Sequence, residues 1–308
     1  MSSERFLVTG ALGCIGAWSC ALLAEEGVDV VGFDYGTDDR RLRLATDAEI
    51  PLVQGDIVDG KAFARLLDEH EITHVIHLAA LLLPQIKPDP PYGTAVNIGG
   101  TVNVLDAAKT RGIQVAYASS AAVYSKVDDE GGAVSNDAIG HPVTFYGVHK
   151  QACEGMARIF WHEEQVPSIG IRPFIVYGPG RDNGLTASPT LAMAAAAAGE
   201  DYRMTFGGRT QLQYAPDTAR VFIAAARAAT EDARVFHLGG PVVSLAEVAA
   251  AIEAVVPDVS ITVDEDTLLP FPEEFDGTPL DAALGGIDWT PLADGVSATV
   301  ERLRAAPA

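Results

Sequence analysis

Cysteine and positive charge are the two scarce features of this sequence. Its 308 residues include only three cysteines, Cys14, Cys20 and Cys153, an odd number whose spacing matches no metal-binding motif. We therefore expect free thiols, a reducing cytoplasmic compartment and no metal site. Only 21 lysines and arginines face 42 acidic residues, so the net charge is −21. This charge argues against nucleic acid or an anionic membrane as a partner.

Long apolar runs are missing as well. The Ala-rich stretch at residues 194–198 is too short to cross a bilayer and is followed by Gly199 and Glu200. We expect the first strand to begin within a few residues of Met1, and therefore expect no secretory signal. The remaining composition is 48% hydrophobic and 20% charged, which is ordinary for a globular enzyme with one domain and a smaller lobe.

The chain is organised around the stretch TGALGCIG at residues 9–16. The apolar run Phe6–Val8 precedes it and an apolar helix follows it, and strand, glycine turn and helix together predict a phosphate cradle. The first glycine allows a tight turn, the second lets a pyrophosphate approach, and the third lets the helix pack on the strand. Because a helix N-terminus offers free N–H groups, we expect cofactor contacts at Gly10, Gly13, Cys14, Ile15 and Gly16.

An acidic residue ends the second apolar run, Val28–Phe33. At this position, about 20 residues after the glycines, the carboxylate of Asp34 would accept hydrogen bonds from an adenosine ribose and repel a 2′-phosphate. The pattern therefore predicts NAD rather than NADP. Arg40 and Arg41 follow closely and weaken this preference, unless they simply form a solvated helix face.

Strands and helices alternate as far as Pro173, which predicts an α/β fold with a Rossmann-type doubly wound parallel sheet. Beyond that residue, proline and glycine interrupt the pattern. We therefore interpret residues 1–173 as an NAD-binding domain and residues 174–308 as mainly a smaller C-terminal substrate lobe, with some segments returning to the sheet. A long apolar loop begins at Leu81 and Leu82, at the carboxyl end of a strand, where ligands bind in open α/β sheets.

A tyrosine and a lysine lie four residues apart at the start of the predicted helix 144–165. At this spacing Tyr146 and Lys150 share one helix face, and an ammonium group beside a phenol stabilises the phenolate. Such a tyrosine can take a proton from an alcohol while hydride leaves the carbon. Ser120, at the end of the preceding strand, could hydrogen-bond the same oxygen.

At this point the sequence resembles the extended short-chain dehydrogenase/reductases, the NAD-dependent epimerase/dehydratase family. The matching segments run in order through most of the chain: residues 9–16, Asp34, 55–57, 77–80, 97–103, 119–124, Tyr146 with Lys150, and 172–181. The resemblance implies Ser120, Tyr146, Lys150 and Asn97 as catalytic residues, and a homodimer through the helices around Asn97 and Lys150. It adds cofactor contacts at Asp56, Ile57, Leu78, Ala79, Ala80, Tyr146, Lys150 and Pro173.

Two alanines after the catalytic serine depart from subgroups of this family. Dehydratases resembling this pattern carry Asp-Glu at the positions of Ala121 and Ala122, decarboxylating members carry Glu at the second, and the deoxysugar epimerase/reductases carry Cys at the first. Alanine performs no acid/base chemistry. Simple hydride transfer remains, either oxidation of an alcohol or oxidation followed by re-reduction with inversion.

Two further departures concern the substrate. Nucleotide-sugar members usually have Asn at the position of Ile175 and Arg at the position of Thr210, although a shift of one residue onto Arg209 is possible. An isoleucine facing a diphosphate would leave charged oxygens without a donor, whereas an isoleucine in the core would say nothing about the substrate. We expect substrate contacts at Leu81, Leu82, Ser120, Ala121, Tyr146, Ile175, Arg181 and Thr186.

The sequence thus leads to three functional hypotheses. The first is an NAD-dependent oxidoreductase for a secondary alcohol or ketone on a sugar, sugar acid, polyol or similar small hydroxy compound. The second is a nucleotide-sugar 4-epimerase of the UDP-glucose 4-epimerase kind, with relocated diphosphate contacts. The third, a non-catalytic NAD-sensing regulator, is disfavoured because Ser120, Tyr146 and Lys150 are all present.

Overall fold

Parallel strands form the centre of the molecule. The computed structural model describes residues 4–306, and within them seven parallel strands build one sheet. Numbered along the chain and given in spatial order, they are β10 (Ala233–His237), β6 (Ser168–Arg172), β5 (Val115–Ala118), β4 (His74–His77), β1 (Arg5–Thr9), β2 (Asp29–Asp34) and β3 (Leu52–Gln54). The predicted doubly wound parallel sheet is confirmed.

Helices cover both faces of this sheet because successive strand residues point to opposite sides. In β1, Phe6 and Val8 pack under one helical layer while Leu7 packs under the other. The first layer contains α1 (Cys14–Glu25), α2 (Arg40–Ala45) and α9 (Ala215–Arg227). The second contains α3 (Gly60–Glu69), α6 (Gly100–Lys109) and α7 (Phe145–Glu164).

The segment between β4 and α6 differs from the sequence prediction. Residues 81–91 are not simply a loop, because short helices α4 (Leu83–Ile86) and α5 (Pro90–Thr94) begin there, each with proline in its first turn. Proline fits that position because the first turn has no N–H bond to lose. A π-helical turn, Ala95–Gly99, then joins α5 to α6, so the predicted single helix 92–111 contains a bulge at Asn97.

Most of the second half of the chain forms a smaller lobe with its own apolar core. Its strands are β7 (Ile175–Tyr177), β9 (Arg209–Tyr214) and β11 (Val242–Ser244) in one sheet, and β8 (Tyr202–Met204) with β12 (Ile261–Val263) in another. Its helices are α8 (Ser188–Ala197), α10 (Leu245–Val255) and α12 (Leu292–Ala305). By contrast, β10, α9 and α11 (Thr278–Leu284) pack with the main sheet. Over residues 4–306, none of the helices has the length and apolarity to cross a membrane.

Candidate active site

The glycine turn lies where β1, β4 and α1 come into contact. Gly10 has φ +71°, and a Cβ there would lie 2.8 Å from the backbone nitrogen of Ala79. A Cβ on Gly16 would overlap the carbonyl oxygen of Gly10. Both positions therefore need glycine, the first for its backbone conformation and for space, the second for space alone.

The N-terminus of α1 opens from this turn without a side-chain cap. Its N-cap residue is Gly13, and within the described residues no side chain accepts from the first-turn N–H groups. Burial raises the pKa of the nearby Cys14 thiol to about 12, while the positive charges of Arg181 and Arg41 act in the opposite direction. Uncapped N–H groups at a helix N-terminus are a donor set that fits a pyrophosphate.

Asp34 lies at the end of β2, beside the glycine turn. One carboxylate oxygen accepts from the N–H of Leu12 (3.0 Å) and the other from the N–H of Gly36 (2.9 Å). The two arginines that follow differ from each other. Arg40 is exposed, whereas Arg41 is partly buried and donates to the carbonyl oxygen of Leu12 (3.3 Å), so a solvated face describes only the first.

The other predicted cofactor positions lie along the same edge of the sheet. The N–H groups of Leu78 and Ala79 both donate to the hydroxyl of Thr9 at 3.2 Å, which joins the ends of β1 and β4. Ile57 is buried against Gly100 of α6. Asp56 accepts from the N–H of Val58 (3.0 Å). Ala80 comes shortly after β4, and Pro173 comes directly after β6. Both predicted positions therefore lie at the carboxyl ends of strands of the main sheet.

Tyr146 and Lys150 lie in the first two turns of α7. The hydroxyl of Thr144 caps this helix by accepting from the N–H of Gly147 (3.0 Å). Lys150 is buried, its Nζ donates to the carbonyl oxygen of Ala118 (2.7 Å) and lies 5.7 Å from the centre of the Tyr146 ring. The lysine therefore connects α7 to the end of β5.

The predicted serine follows directly on that strand end. Ser120 begins the 3₁₀ turn Ala121–Val123, and its Oγ accepts from the N–H of Ala122 (3.1 Å). A Cβ on Gly147 would overlap the carbonyl oxygen of Ala122, so the start of α7 packs directly on this turn. The structure thus brings Ser120, Tyr146 and Lys150 into one region, at the carboxyl end of the sheet.

Asn97 is buried in the π turn and binds the loop that follows β4. Its Oδ1 accepts from the N–H of Leu81 (2.7 Å) and its Nδ2 donates to the carbonyl oxygen of Leu81 (2.9 Å). A side-chain amide that satisfies both backbone groups of one residue fixes that residue's position. Asn97 therefore organises the backbone at the start of the apolar loop, which includes Leu82.

Two buried polar groups of this region carry no role in the sequence analysis. His77 bridges the hydroxyls of Thr9 (2.8 Å) and Thr101 (3.2 Å). Burial and, secondarily, the charge of Lys150 lower the pKa of His77 to about 3. The HLAA segment carried the resemblance at this position, but it gave no sign of a neutral histidine that connects β1, β4 and α6.

The second group is an ion pair close to the turn that begins with Ser120. Glu154 lies one helical turn after Lys150 and binds Arg172 at the end of β6 (Nε–Oε1, 2.7 Å). It also accepts from the hydroxyl of Ser119, the residue before the predicted catalytic serine. The guanidinium of Arg172 donates in turn to the hydroxyl of Tyr124 (2.8 Å). Sequence order alone does not place a helix residue against two strand ends.

The predicted substrate positions are less closely grouped. Leu81 and Leu82 are partly buried, and Ala121 is buried in the turn that follows Ser120. Arg181 donates to the hydroxyl of Thr186 (3.2 Å). Ile175 differs, because its side chain is fully buried among the apolar residues of the smaller lobe. As a β7 residue it fills that core and presents no surface to an open pocket. Thr210 on β9 is also buried.

Comparison with known proteins supports the class that this fold and site define. The sequence model of the "NAD dependent epimerase/dehydratase family" matches residues 6–239. The chain therefore belongs to this NAD-dependent family, which confirms the family resemblance and the prediction of NAD as the cofactor.

Two curated relatives share about a third of their aligned residues with this chain. "UDP-glucuronate 4-epimerase 6" of Arabidopsis thaliana is 33% identical over 183 residues, which are 56% of this chain and 40% of the relative. "UDP-glucose 4-epimerase" of Azospirillum brasilense is 32% identical over 181 residues, 58% of this chain and 50% of the relative. The chain thus spans half or less of the length of these relatives.

Solved structures match the whole fold. An L-threonine dehydrogenase from Clostridium difficile superimposes with a TM-score of 0.86 at 20% identity, covering 98% of each chain. A UDP-glucose 4-epimerase from Thermus thermophilus, solved in complex with NAD, gives 0.82 at 23% identity, covering 99% of this chain and 100% of that one. These likenesses confirm the Rossmann-type fold.

Proposed function

We propose that this protein is an NAD-dependent oxidoreductase that transfers hydride at a secondary alcohol or ketone of a small hydroxy compound. One observation carries the proposal. Tyr146 and Lys150 share the first two turns of α7, and α7 packs at Gly147 on the turn that begins with Ser120. A phenol, an ammonium and a hydroxyl at one strand end are the groups that alcohol oxidation requires.

The cofactor would lie across the carboxyl ends of the strands, as ligands do in open α/β sheets. When bound, NAD accepts the hydride that leaves the alcohol carbon. The glycine turn and the N-terminus of α1 would hold its pyrophosphate, and Asp34 its adenosine ribose. Lys150 would hold the second ribose. Further contacts would come from Gly10, Gly13, Cys14, Ile15, Gly16, Asp56, Ile57, Leu78, Ala79, Ala80 and Pro173.

The chain's own groups would handle the proton. Tyr146 would act as a general base in its phenolate form, which the positive charge of Lys150 stabilises, and would become a neutral phenol when it accepts the hydroxyl proton of the alcohol. Ser120 donates a hydrogen bond to the substrate oxygen and fixes its position. Asn97 holds Leu81 in place, and so shapes the wall of the pocket without touching the proton.

The proposed substrate class rests on a charged hydrogen-bond donor for a diphosphate that the smaller lobe lacks. Thr210 on β9 is buried and uncharged, so the position at which nucleotide-sugar relatives of this pattern usually have Arg offers no charged donor to a diphosphate, whereas Ile175 belongs to the lobe core and says nothing about the substrate. We therefore propose a small, uncharged or singly charged sugar, sugar acid or polyol as substrate. Its contacts would come from Leu81, Leu82, Ser120, Ala121, Tyr146, Arg181 and Thr186.

A second candidate function is a nucleotide-sugar 4-epimerase. The names of both curated relatives, a UDP-glucuronate and a UDP-glucose 4-epimerase at 33% and 32% identity, favour it. An epimerase would return the hydride to the opposite face of the same carbon. It would therefore interconvert two sugars without accumulating NADH, whereas a dehydrogenase would accumulate NADH in proportion to product.

The test uses the purified protein with NAD and a panel of free sugars, sugar acids, polyols and UDP-sugars. Tyr146→Phe removes the ionisable oxygen but keeps the ring, so turnover should fall by at least ~10²-fold while NAD still binds. Tyr202→Phe on β8, in the smaller lobe, is the matched control and should retain turnover. Near-normal turnover by Tyr146→Phe would overturn the assignment of the base.

We also propose that the protein acts as a homodimer in a reducing, cytoplasmic compartment. The apolar side chains Phe145, Val148 and Ile159 are exposed along α7, which supports a partner on this helix. The free thiols of all three cysteines support the compartment. In sedimentation, Ile159→Glu should shift the protein to monomers, whereas Val127→Glu, at an exposed apolar residue outside α7, should not. A monomeric wild type would rule out the dimer.

The two halves of the chain would divide the work. Residues 1–173 would form the NAD-binding domain with the catalytic residues, and residues 174–308 mainly the substrate lobe. The return of β10, α9 and α11 to the main sheet supports a lobe that is inserted into, rather than appended to, the cofactor domain.

A further inference from the structure

The guanidinium of Arg41 is held in place directly beside the proposed ribose site. Its Nη1 donates to the carbonyl oxygen of Leu12 (3.3 Å), the residue whose N–H donates to Asp34 (3.0 Å). Arg41 and Asp34 therefore bind opposite ends of the same residue in the glycine turn. A cation in this position is close enough to the cofactor's ribose to matter for the choice between NAD and NADP.

Asp182 occupies the outer edge of this guanidinium. The Nε of Arg41 donates to both carboxylate oxygens of Asp182 (3.2 and 3.1 Å), and its Nη2 donates to Oδ1 (2.6 Å). This forked contact uses the two adjacent nitrogens that would bind a phosphate in the same way. With Asp182 in place, the fork of Arg41 is not available to another anion.

The loop that carries Asp182 is itself fixed on the cofactor domain. The indole Nε1 of Trp18 on α1 donates to the carbonyl oxygen of Pro179 (2.9 Å). A Cβ on Gly180 would lie 3.6 Å from the Arg41 side chain, so the loop backbone also packs on that arginine. Asp182 therefore belongs to a loop that packs on the cofactor domain, and its contact with Arg41 joins this loop to the helix α2.

We propose that Asp182 is a positioning residue that excludes NADP by keeping the Arg41 fork occupied. The inference rests on the proposed function, because it assumes that the adenosine ribose lies at Asp34. A 2′-phosphate would then meet the Asp34 carboxylate and a neutralised arginine. Without the Asp182 carboxylate, Arg41 can turn its fork to the 2′-phosphate, and the protein becomes tolerant of NADP.

The neighbouring arginine provides a matched control. Arg40 forms the same kind of forked contact with Asp38, with its Nη2 2.7 Å from Oδ2. This pair is exposed at the start of the same helix, and its bonds join only Arg40 and Asp38. Removing Asp38 changes the net charge by the same amount as removing Asp182 but leaves the contact between Arg41 and Asp182 in place. Asp38→Ala therefore separates the effect of the Arg41 fork from a general loss of one negative charge.

The experiment measures the dissociation constants of NAD and NADP for the full chain by titration calorimetry. In Asp182→Ala, the affinity for NADP relative to NAD should rise roughly 1.5- to fivefold, the range expected for a newly available exposed ion pair. Asp182→Glu, which keeps the carboxylate, should restore the wild-type ratio. The double variant Asp182→Ala/Arg41→Ala should also lose the gain, and Asp38→Ala should show a smaller change.

Three results would overturn the inference. An unchanged ratio in Asp182→Ala would show that the Arg41 fork plays no part in the choice. Equal weakening of NAD and NADP would show that Asp182 only holds the loop in place. An equal gain in Asp38→Ala would reduce the effect to net charge. Failure of the wild type to bind either dinucleotide is a separate outcome, which would reject the proposed function itself.

Discussion

Single buried side chains connect the elements of this site. Asn97 hydrogen-bonds both the backbone N–H and the carbonyl oxygen of Leu81, and His77 bridges the hydroxyls of Thr9 and Thr101. The family pattern assigned a role to Asn97, whereas His77 lay in a matching segment to which no role was assigned. A sequence shows which residues are polar, and only the packing shows that a polar residue is buried between two others.

The buried histidine gives a prediction about acid stability. An unfolded chain protonates His77 below the ordinary pKa of about 6.5, whereas burial keeps the folded residue neutral to a pKa of about 3. The unfolded state therefore binds one more proton between these values. The stability that depends on the neutral histidine is complete above pH 6.5 and is lost as the pH falls, by up to ~1.4 kcal/mol per pH unit.

Urea unfolding of the wild type and of His77→Gln at pH 7, 6 and 5 measures this contribution. The variant should be less stable at pH 7, because the amide cannot reproduce both hydroxyl contacts. Its free energy of unfolding should then decline less steeply with falling pH, by about one proton. The same substitution at the exposed His162 on α7 is the control. Parallel pH dependences for wild type and His77→Gln would contradict the prediction.

At the scale of elements, the sequence was most informative where local patterns agree with tertiary packing. The strand, glycine turn and α1 followed from the apolar runs and glycines of residues 6–16, and β1 and α1 occupy those positions. The π turn at Ala95–Gly99 and the three-residue strands β7 and β8 did not follow. Such short strands have no periodicity of their own, and their partners fix them.

The glycine turn gives a prediction at this scale. Gly16→Ala places a methyl group against the carbonyl oxygen of Gly10, so α1 must move away from the turn. Stability should fall by about 1–3 kcal/mol, as for other overpacked sites, and NAD binding should weaken as well. Calorimetric titration with NAD and urea unfolding measure the two effects.

A glycine with open space around it is the matched control for this substitution. Gly155 lies within α7, and a Cβ there meets no atom within 4 Å. Gly155→Ala should therefore leave NAD affinity unchanged and raise helix stability by up to ~1 kcal/mol. If Gly16→Ala were as harmless as Gly155→Ala, close packing would not be the reason for glycine at this turn.

At the scale of the whole molecule, the smaller lobe is built around its own apolar core and returns β10, α9 and α11 to the main sheet. The sequence indicated this return through short apolar runs after Pro173. The sequence left open whether Ile175 faces the substrate or fills the core, and the structure places that side chain inside the lobe core. The position therefore lacks a polar group because the core needs an apolar one, and this holds whatever the substrate is.

The final prediction concerns which ligands the assembled molecule accepts. Thr210 lies where nucleotide-sugar relatives of this pattern usually have Arg, so a diphosphate would lose one charged donor. Loss of a hydrogen bond to a charged group costs ~1.5–3 kcal/mol, which weakens binding by roughly one to two orders of magnitude. The net charge of −21 further disfavours a multiply charged anion. Calorimetric titration of the NAD-loaded protein should therefore show no saturable binding of UDP, UDP-glucose or UDP-glucuronate at millimolar concentration. Micromolar binding of UDP alone would show that Arg181, Arg209 or another donor holds the diphosphate, and the 4-epimerase would then become the leading function.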